Sequence, residues 1–351
     1  MLKKILSVET SCDDTSVAIV QKDGFVLAQS SASQDLEHAP YGGVVPEIAS
    51  RNHSVAILPL IEETLKKANL KITDLDGFSV TNRPGLIGSL IVGLMTVKAL
   101  AQAYKKPFVG VNHLEGHLLA PFLKDADYQP DENFNYPYIA LAVSGGHTSL
   151  YWVEEFGKYT IVGTTKDDAA GEAFDKFAKM VGLGYPGGIQ VDRLAKNGNK
   201  MAYDFPRSLI NEKNLMMSFS GLKSSAHRLL SQMSPEDIEK NKNDLCASFQ
   251  EAIVDVLIHK ATSALKVYKT KQLVITGGVS ANSRLREQAE HLKTKGISVI
   301  IPPIRYCTDN AAMIGYVGIK KILNSEQAQL DLGPSSSSYE HDFKTNLVEL
   351  I

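Results

Sequence analysis

The sequence predicts an α/β protein made by internal duplication, with two lobes facing each other across a central cleft. Three observations predict it. Strand-like and helix-like stretches alternate along the chain, the pattern restarts near residue 138 in the same order, and 351 residues exceed what one hydrophobic core usually organises. The expected division is 1–134 for the first lobe, 135–330 for the second with a helical insertion at about 169–268, and 331–351 for a loose tail.

Residues 5–8 and 16–20 are β-like and separated by the polar segment 9–15, and Lys22-Asp23-Gly24 then turns the chain. The first lobe therefore opens as an antiparallel ribbon. Residues 54–68 read as an amphipathic helix with Val55, Leu58, Ile61 and Leu65 on one face. Residues 77–81 form a short strand, 86–104 a largely apolar helix, and 108–111 a strand that runs into His113 and a helix through Leu119. The second lobe repeats the order. Residues 138–143 and 149–153 are β-like around Ser144-Gly145-Gly146-His147, and 159–164 follow as a third. After the helical insertion come strand 273–276, helix 283–292, strand 299–301 and helix 310–322. Beyond Leu332, Pro334 and the serines 335–338 show no packing pattern.

Composition narrows the function classes. The chain has 44% hydrophobic residues, ordinary for a folded domain, and three cysteines (Cys12, Cys246, Cys307) without a CxxC pair. No disulfide framework is expected, which points to a reducing, cytoplasmic compartment. Glu9 cuts the apolar stretch 5–8 too short for a signal-peptide core. The uncharged run 134–153 contains Pro137, Gly145 and Gly146 and alternates like strands, so no membrane partner is expected. With 37 Lys+Arg against 39 Asp+Glu, the net charge of -2 excludes gripping nucleic acid by a bulk positive field. A local basic patch, with Lys223 and Arg228 as candidates, or a partner would have to hold it.

The sharpest chemical signal is His113-Leu114-Glu115-Gly116-His117. Histidines four apart on a helix share a face, where both imidazoles can reach one ion; the alternative is two polar residues on an exposed helix. In the zincin pattern H-E-x-x-H the glutamate adjoins the first histidine. Here Glu115 lies two positions on, about 200° around a helix, and points away. In the second half the corresponding place holds Arg305-Tyr306-Cys307-Thr308-Asp309-Asn310, and a pseudo-twofold would carry Asp309 across the cleft to the histidines. Two imidazoles and a carboxylate suit iron(II) or zinc(II). Cys307 reads as a small buried residue.

A second signal is a set of glycine turns at strand ends, Ser144-Gly145-Gly146-His147, Gly187-Gly188 and Gly277-Gly278, whose backbone N–H groups can cradle phosphate. A third is Ala170-Gly171-Glu172-Ala173-Phe174-Asp175-Lys176 with Asp192 beyond it, carboxylates suited to ribose hydroxyls or to a solvated helix face. Ser218-Phe219-Ser220-Gly221-Leu222-Lys223 reads as a helix start or as the polar wall of a channel. No Walker A loop or G-x-G-x-x-G fingerprint is present.

Eight runs in order resemble the TsaD family of tRNA adenosine threonylcarbamoyltransferases, formerly described as glycoprotein endopeptidases. They are Glu9-Thr-Ser-Cys-Asp-Asp-Thr15, Tyr41-Gly-Gly-Val-Val-Pro-Glu47, His113-Leu-Glu-Gly-His117, Val143-Ser-Gly-Gly-His-Thr148, Gly171-Glu-Ala-Phe-Asp-Lys176, Phe219-Ser-Gly-Leu-Lys223, Gly277-Gly-Val-Ser-Ala-Asn282 and Cys307-Thr-Asp-Asn310. The departures are Ser224, where Thr is usual, and Asp14, where Glu is common; the run 41–47 is similar to the bacterial branch.

The resemblance implies the duplicated actin/Hsp70/sugar-kinase (ASKHA) fold. It implies one divalent metal per subunit on His113, His117 and Asp309, iron(II) ahead of zinc(II). Its substrate contacts fall on Ala142, Val143, Ser144, Gly145, Gly146, Asp175, Gly188, Asp192 and Asn282. The implied reaction is transfer of threonylcarbamoyl from threonylcarbamoyl-AMP to the exocyclic amine of the adenosine beside the anticodon, in tRNAs reading codons that begin with A. The implied partners are tRNA, an inactive TsaB-like paralogue and a small TsaE-like ATPase. No catalytic residue beyond the metal site is assigned; His147 is a general-base candidate by position only, with fixing of its loop the favoured role. The competing readings are a metal-dependent peptidase and an ATP-dependent phosphotransferase of the same fold.

Overall fold

Strand order makes the duplication visible in the computed structural model, which describes residues 3–339 and 341–347. Strands β1 (Lys4–Glu9), β2 (Thr15–Gln21), β3 (Val26–Ala32), β4 (Phe78–Arg83) and β5 (Phe108–Asn112) form a sheet in the order β3-β2-β1-β4-β5. The pairs β1–β2 and β2–β3 are antiparallel, and β1–β4 and β4–β5 are parallel. The second sheet contains β6 (Tyr138–Val143), β7 (Thr148–Glu155), β8 (Lys158–Thr164), β9 (Gln272–Thr276), β10 (Ser298–Ile300) and β11 (Lys344–Thr345), ordered β10-β9-β6-β7-β8-β11. Without β11 it repeats the first: β6–β7 and β7–β8 antiparallel, β6–β9 and β9–β10 parallel.

Helices cover both faces of the first sheet, so its central strand is buried on both sides from Ile5 to Glu9 rather than alternately. Leu6 and Val8 pack with Ile57, Leu60, Leu94 and Val97 from helices Pro46–Lys67 and Ile87–Tyr104. The alternate residues Ile5 and Ser7 meet helix Ala311–Leu323 at Gly318 and Gly315. In the second unit, helix Lys242–Val267 is buried along most of its length among Phe174, Phe177, Phe205 and the strands.

The structure differs from the sequence-derived expectation in four places. The chain divides into Met1–Asn133 with Arg305–Asp342, and Phe134–Ile304 with Phe343–Ile351, where the sequence predicted breaks after 134 and 330. The cause is helix Ala311–Leu323, whose apolar residues Met313, Ile314, Val317 and Ile319 are buried on β1, β2, β4 and β5 of the first sheet. Strand β3 is not among the elements expected from the sequence, because an edge strand with Gln29, Ser30 and Ser31 carries little apolar signal. In helix Pro46–Lys67 the inner face is Ile57, Leu60, Ile61 and Thr64, while Val55 and Leu58 are 72% and 57% exposed.

The segment expected to be loose is also tied down where it is described. Lys98 Nζ donates to Leu332 O and Ser335 N to Asn82 O, and Phe343 is buried beside Tyr151 and Tyr159. Glu340 and residues 348–351 of that segment lie outside the described residues.

A Cβ added at Gly318 would overlap the Ser79 side chain and come within 3.2 Å of Ile5 Cδ1. Gly318→Ala should therefore lower the unfolding free energy by about 1–3 kcal/mol through overpacking, although alanine is the better helix former by about 1 kcal/mol. Denaturant titration checks the sign; a stabilised variant would mean that the helix does not need this close seat.

Candidate metal centre and glycine turns

Strand β5 ends at Asn112, whose side-chain oxygen accepts from Leu114 N at 2.8 Å and caps the helix His113–Leu119. The four-residue spacing sets His113 and His117 one turn apart, their rings edge to face with centroids 4.7 Å apart. Their Nε2 atoms lie 3.1 Å apart, and Asp309 Oδ1 is 3.3 Å from each. Both imidazoles are buried and the Asp309 side chain is 28% exposed. Donors about 2.1 Å from one ion stand about 3.0 Å apart at right angles and about 3.4 Å apart at tetrahedral angles. The three atoms match that spacing, so the group fits a divalent cation with one partly open side. Among the described residues no other three His, Cys, Asp or Glu side chains converge in this way.

Asp309 reaches the histidines from within their own compact unit, and not across a cleft as the duplication argument had it. Asp309 immediately precedes Asn310, whose side chain caps helix Ala311–Leu323 by accepting from Met313 N. Gly116 lets the two helices approach, since a Cβ there would lie 2.9 Å from Met313 Cγ. Glu115 is buried and turned to Lys321, 3.5 Å away, so no glutamate of this helix serves the histidines as a zincin base would. Cys307 is fully buried and is not one of the converging donors.

Sequence reasoning missed Glu9. Its Oε2 is 3.1 Å from His113 Nδ1 and also accepts from Thr81 Oγ1, while its Oε1 accepts from Ser11 N at 2.5 Å. Ser11 Oγ stands 3.2 Å from the same Nδ1. A carboxylate behind an imidazole fixes the ring and leaves Nε2 as the ligating atom. The available signal was a charged residue ending a strand that is otherwise buried.

Electrostatics agree with a cation site. Burial opposes charge on His113, but Asp309 and Glu9 outweigh it and hold the imidazole well above its usual range. Burial likewise opposes the charge on Asp309, which His113 and His117 nevertheless pull well below the carboxylate range. His117 is depressed, chiefly by burial. Asp14 is pushed up to about 7 by burial and by the nearby Asp13 and Asp309. Without a metal, a surplus of carboxylates is balanced by one imidazolium.

The sequence-predicted substrate residues all lie in the second unit, linked by short contacts. Ala142 and Val143 are buried at the end of β6. The turn that follows is closed by Ser144 N donating to His147 O at 2.8 Å and by His147 N donating to Ser144 Oγ at 3.1 Å, so His147 fixes the loop through its backbone. Gly145 and Gly146 are exposed, and a Cβ on either would meet nothing within 4 Å, so packing within the chain does not require glycine there. Gly171 packs against this turn and Gly277 against Val143.

Asp175 Oδ1 accepts from Gly187 N and Gly188 N at 2.8 and 3.2 Å, capping helix Gly187–Ala195. Asp192 Oδ1 accepts from Ser283 N and Oγ at 3.0 and 2.7 Å, and Asn282 Nδ2 donates to Gln250 Oε1 at 2.6 Å. Beside them is a cavity of about 340 Å³ lined in part by Lys196, Lys200, Glu251, Ser283 and Arg284. The run Phe219–Lys223 starts a helix whose first backbone N–H groups donate to Asp167, and Lys223 is paired with Asp168 at 2.8 Å.

Residues 25–316 match the family described as "TsaD: tRNA N6-adenosine threonylcarbamoyltransferase". A protein of Bdellovibrio bacteriovorus bearing that enzyme name is 61% identical over 345 residues, covering 98% of this chain and all of the relative. One of Anaeromyxobacter dehalogenans with the same name is 48% identical over 334 residues, covering 94% and 98%. Among solved structures, component A of (R)-2-hydroxyglutaryl-CoA dehydratase from Acidaminococcus fermentans aligns with a TM-score of 0.53 at 17% identity, over 92% of this chain and 99% of its own. HypF of T. kodakarensis aligns with 0.61 at 12% identity, over 90% and 47%. These structures share the duplicated actin/Hsp70-type fold, and the likeness speaks to the fold alone.

Glu9→Gln keeps the size of the side chain but removes the charge behind His113. We expect divalent-metal affinity to fall about 10- to 100-fold with the fold intact. Chelator competition with circular dichroism as the control measures this, and unchanged affinity would deny Glu9 its orienting role.

Proposed function

The chain belongs to the TsaD family of tRNA N6-adenosine threonylcarbamoyltransferases, and from that premise we propose what its residues contribute to the reaction. The enzyme transfers the threonylcarbamoyl group of threonylcarbamoyl-AMP to N6 of the adenosine beside the anticodon, in tRNAs reading codons that begin with A. A bond forms between N6 and the carbamoyl carbon, the bond from that carbon to the AMP phosphate oxygen breaks, and N6 loses one proton. The observation that carries the reading is the convergence of His113, His117 and Asp309 in a chain of this family.

Those three residues would hold one divalent ion; imidazole and carboxylate donors suit iron(II) and zinc(II) alike, and the family resemblance puts iron(II) first. The ion supplies Lewis-acid polarisation of a phosphoryl or carbonyl oxygen. In the second unit the exposed Gly145 and Gly146 offer backbone N–H groups to the negative charge that grows on the leaving phosphate. Ala142, Val143 and Ser144 carry that turn, and Asp175, Gly188, Asp192 and Asn282 form the rest of the substrate contacts, with the neighbouring cavity available to the adenylate. Asp175 acts partly by capping, which sets the position of Gly188.

The peptidase alternative loses its base, because Glu115 is engaged by Lys321. Lys223 is paired with Asp168, so it is a weaker contact for tRNA phosphate than its bare charge implies. Partners therefore carry much of the tRNA binding, and the reading places the work in the cytoplasm. Helix Ile87–Tyr104 is long and apolar enough to cross a membrane by length and composition, but its inner face, Leu90, Leu94 and Val97, belongs to the core of the first unit. On its outer face Ile87, Ile91 and Met95 recur every four residues, and Val55 and Leu58 are exposed on the helix packed beside it. Such an apolar strip suits a helix pair of the TsaB-like paralogue, with the small ATPase completing the complex.

Two outcomes test this. Reconstituted with threonylcarbamoyl-AMP, tRNA and its partners, the wild type should form threonylcarbamoyladenosine, and His113→Ala should lose both bound metal and at least 100-fold of the activity; full transfer by a metal-free variant would remove the metal from the reaction. Met95→Glu should weaken binding of the paralogue by about tenfold or more, by desolvating a charge in the interface, while metal content stays at the wild-type level. Sedimentation or light scattering reads the complex, and undiminished association would place the interface elsewhere.

A further inference from the structure

We infer that Asp342, in the C-terminal segment, is a positioning residue for the histidine-bearing helix, acting through the Asn112 cap; the inference rests on the metal-site reading above.

Asp342 Oδ2 accepts from Asn112 Nδ2 at 2.8 Å, from Arg83 Nε at 2.7 Å and from Tyr339 N at 2.8 Å, and its Oδ1 accepts from Arg83 Nη2 at 2.5 Å. The ion pair is nearly dry, with the Arg83 and Asp342 side chains 8% and 7% exposed. Arg83 is held further by Asn82 Oδ1 at 2.7 Å and lies over the Tyr339 ring, 4.2 Å from its centroid. A bidentate guanidinium–carboxylate pair in such surroundings has one geometry, so the carboxylate is a fixed point.

Asn112 joins that point to the metal group. Its amide has two distinct ends. The Nδ2 end donates to Asp342 and to Ser338 Oγ, and the Oδ1 end accepts from Leu114 N in the first turn of the helix. An acceptor under Nδ2 selects the orientation in which Oδ1 meets the helix. His113 is the next residue in the chain and His117 lies one turn on, so the cap sets the entry of the helix and with it both imidazoles. The helix is only seven residues long, and its capping hydrogen bond is a large share of what holds its first turn.

Removal of Asp342 should loosen the Nε2 pair without touching it. The expected result is a fall of about 10- to 100-fold in zinc(II) or cobalt(II) affinity for Asp342→Asn, the range typical of residues one step behind metal ligands. Because that variant leaves Arg83 buried without its charged partner, the double variant Arg83→Met, Asp342→Leu is measured beside it; it strands no charge yet removes the carboxylate acceptor beneath Asn112, leaving Ser338 Oγ alone. Lys98→Met is the control, since it cuts the Lys98–Leu332 anchor of the same segment and leaves Asn112–Asp342 alone. Its metal affinity should stay within about twofold of wild type on this reasoning.

A second readout needs no metal. Hydrogen exchange of the metal-free protein should show Leu114 N–H losing protection in both Asp342 variants and keeping it in Lys98→Met. Failure of the wild type to bind either ion would sink the metal-site reading and this inference with it. If the wild type binds and the Asp342 variants bind equally well, or if Lys98→Met weakens binding as much as they do, the positioning role alone is overturned. Unchanged Leu114 exchange in folded Asp342 variants would also overturn it.

Discussion

Much of this molecule depends on how one helix is seated. Ala311 opens the helix Ala311–Leu323, and both of its backbone groups are stapled to the first sheet: its N–H donates to Ser16 Oγ at 3.0 Å and its carbonyl accepts from Ser7 Oγ at 2.6 Å. Gly315 and Gly318 then let the helix lie close on Val20, Ser7 and Ser79. This seat brings the segment just before Ala311, with Asp309, to histidines 192 and more residues earlier in the chain. Gly116 closes the last gap, between the histidine helix and Met313. The ligand spacing thus depends on packing at small residues that carry no chemistry themselves.

Burial sharpens the consequence. Glu9 has no exposed surface and the Asp309 side chain is partly exposed, and both charges are met by the histidines between them. In Glu9 burial works against ionisation, yet the charge and hydrogen bond of His113 keep its pKa low. His113 therefore faces a carboxylate on each side, Glu9 at Nδ1 and Asp309 at Nε2. An imidazole between two carboxylates is either a proton-bearing bridge or a ligand whose back is held by one of them. The same geometry serves both states, which explains how a dense polar cluster is tolerated in the interior.

The sequence was informative where periodicity and chemistry coincided. The repeat of strands around β1–β2 and β6–β7 was legible because these strands are rich in apolar residues, whereas β3, with Gln29, Ser30 and Ser31 at a sheet edge, gave no such signal. His113 and His117 were readable from helical spacing alone. Asp309 was the right residue reached through the wrong geometry: the duplication placed it across a cleft, but its helix packs on the first sheet. Glu9 left one faint signal, a charge ending a β-like run, and Asn112 and Asp342 left none, because each acts through a hydrogen bond to a residue distant in the chain or through a cap whose alignment only the fold supplies. The tail failed for a related reason. Serines and a proline have no periodicity, yet Asn82 and Lys98 bind its backbone.

The net charge of -2 takes on a different meaning once the cations are followed to their partners. Arg83, Arg207, Arg284 and Arg305 are each tied to a carboxylate, and Lys176 and Lys223 share Asp168. A cation already paired at 2.5–3.0 Å has little left to offer a phosphate, because breaking the internal pair costs about what the new one returns. The count of basic residues therefore overstates the charge available to nucleic acid. Salt-sensitive affinity for tRNA grows with the number of phosphates neutralised, and these six cations contribute less to it than their formal charge implies.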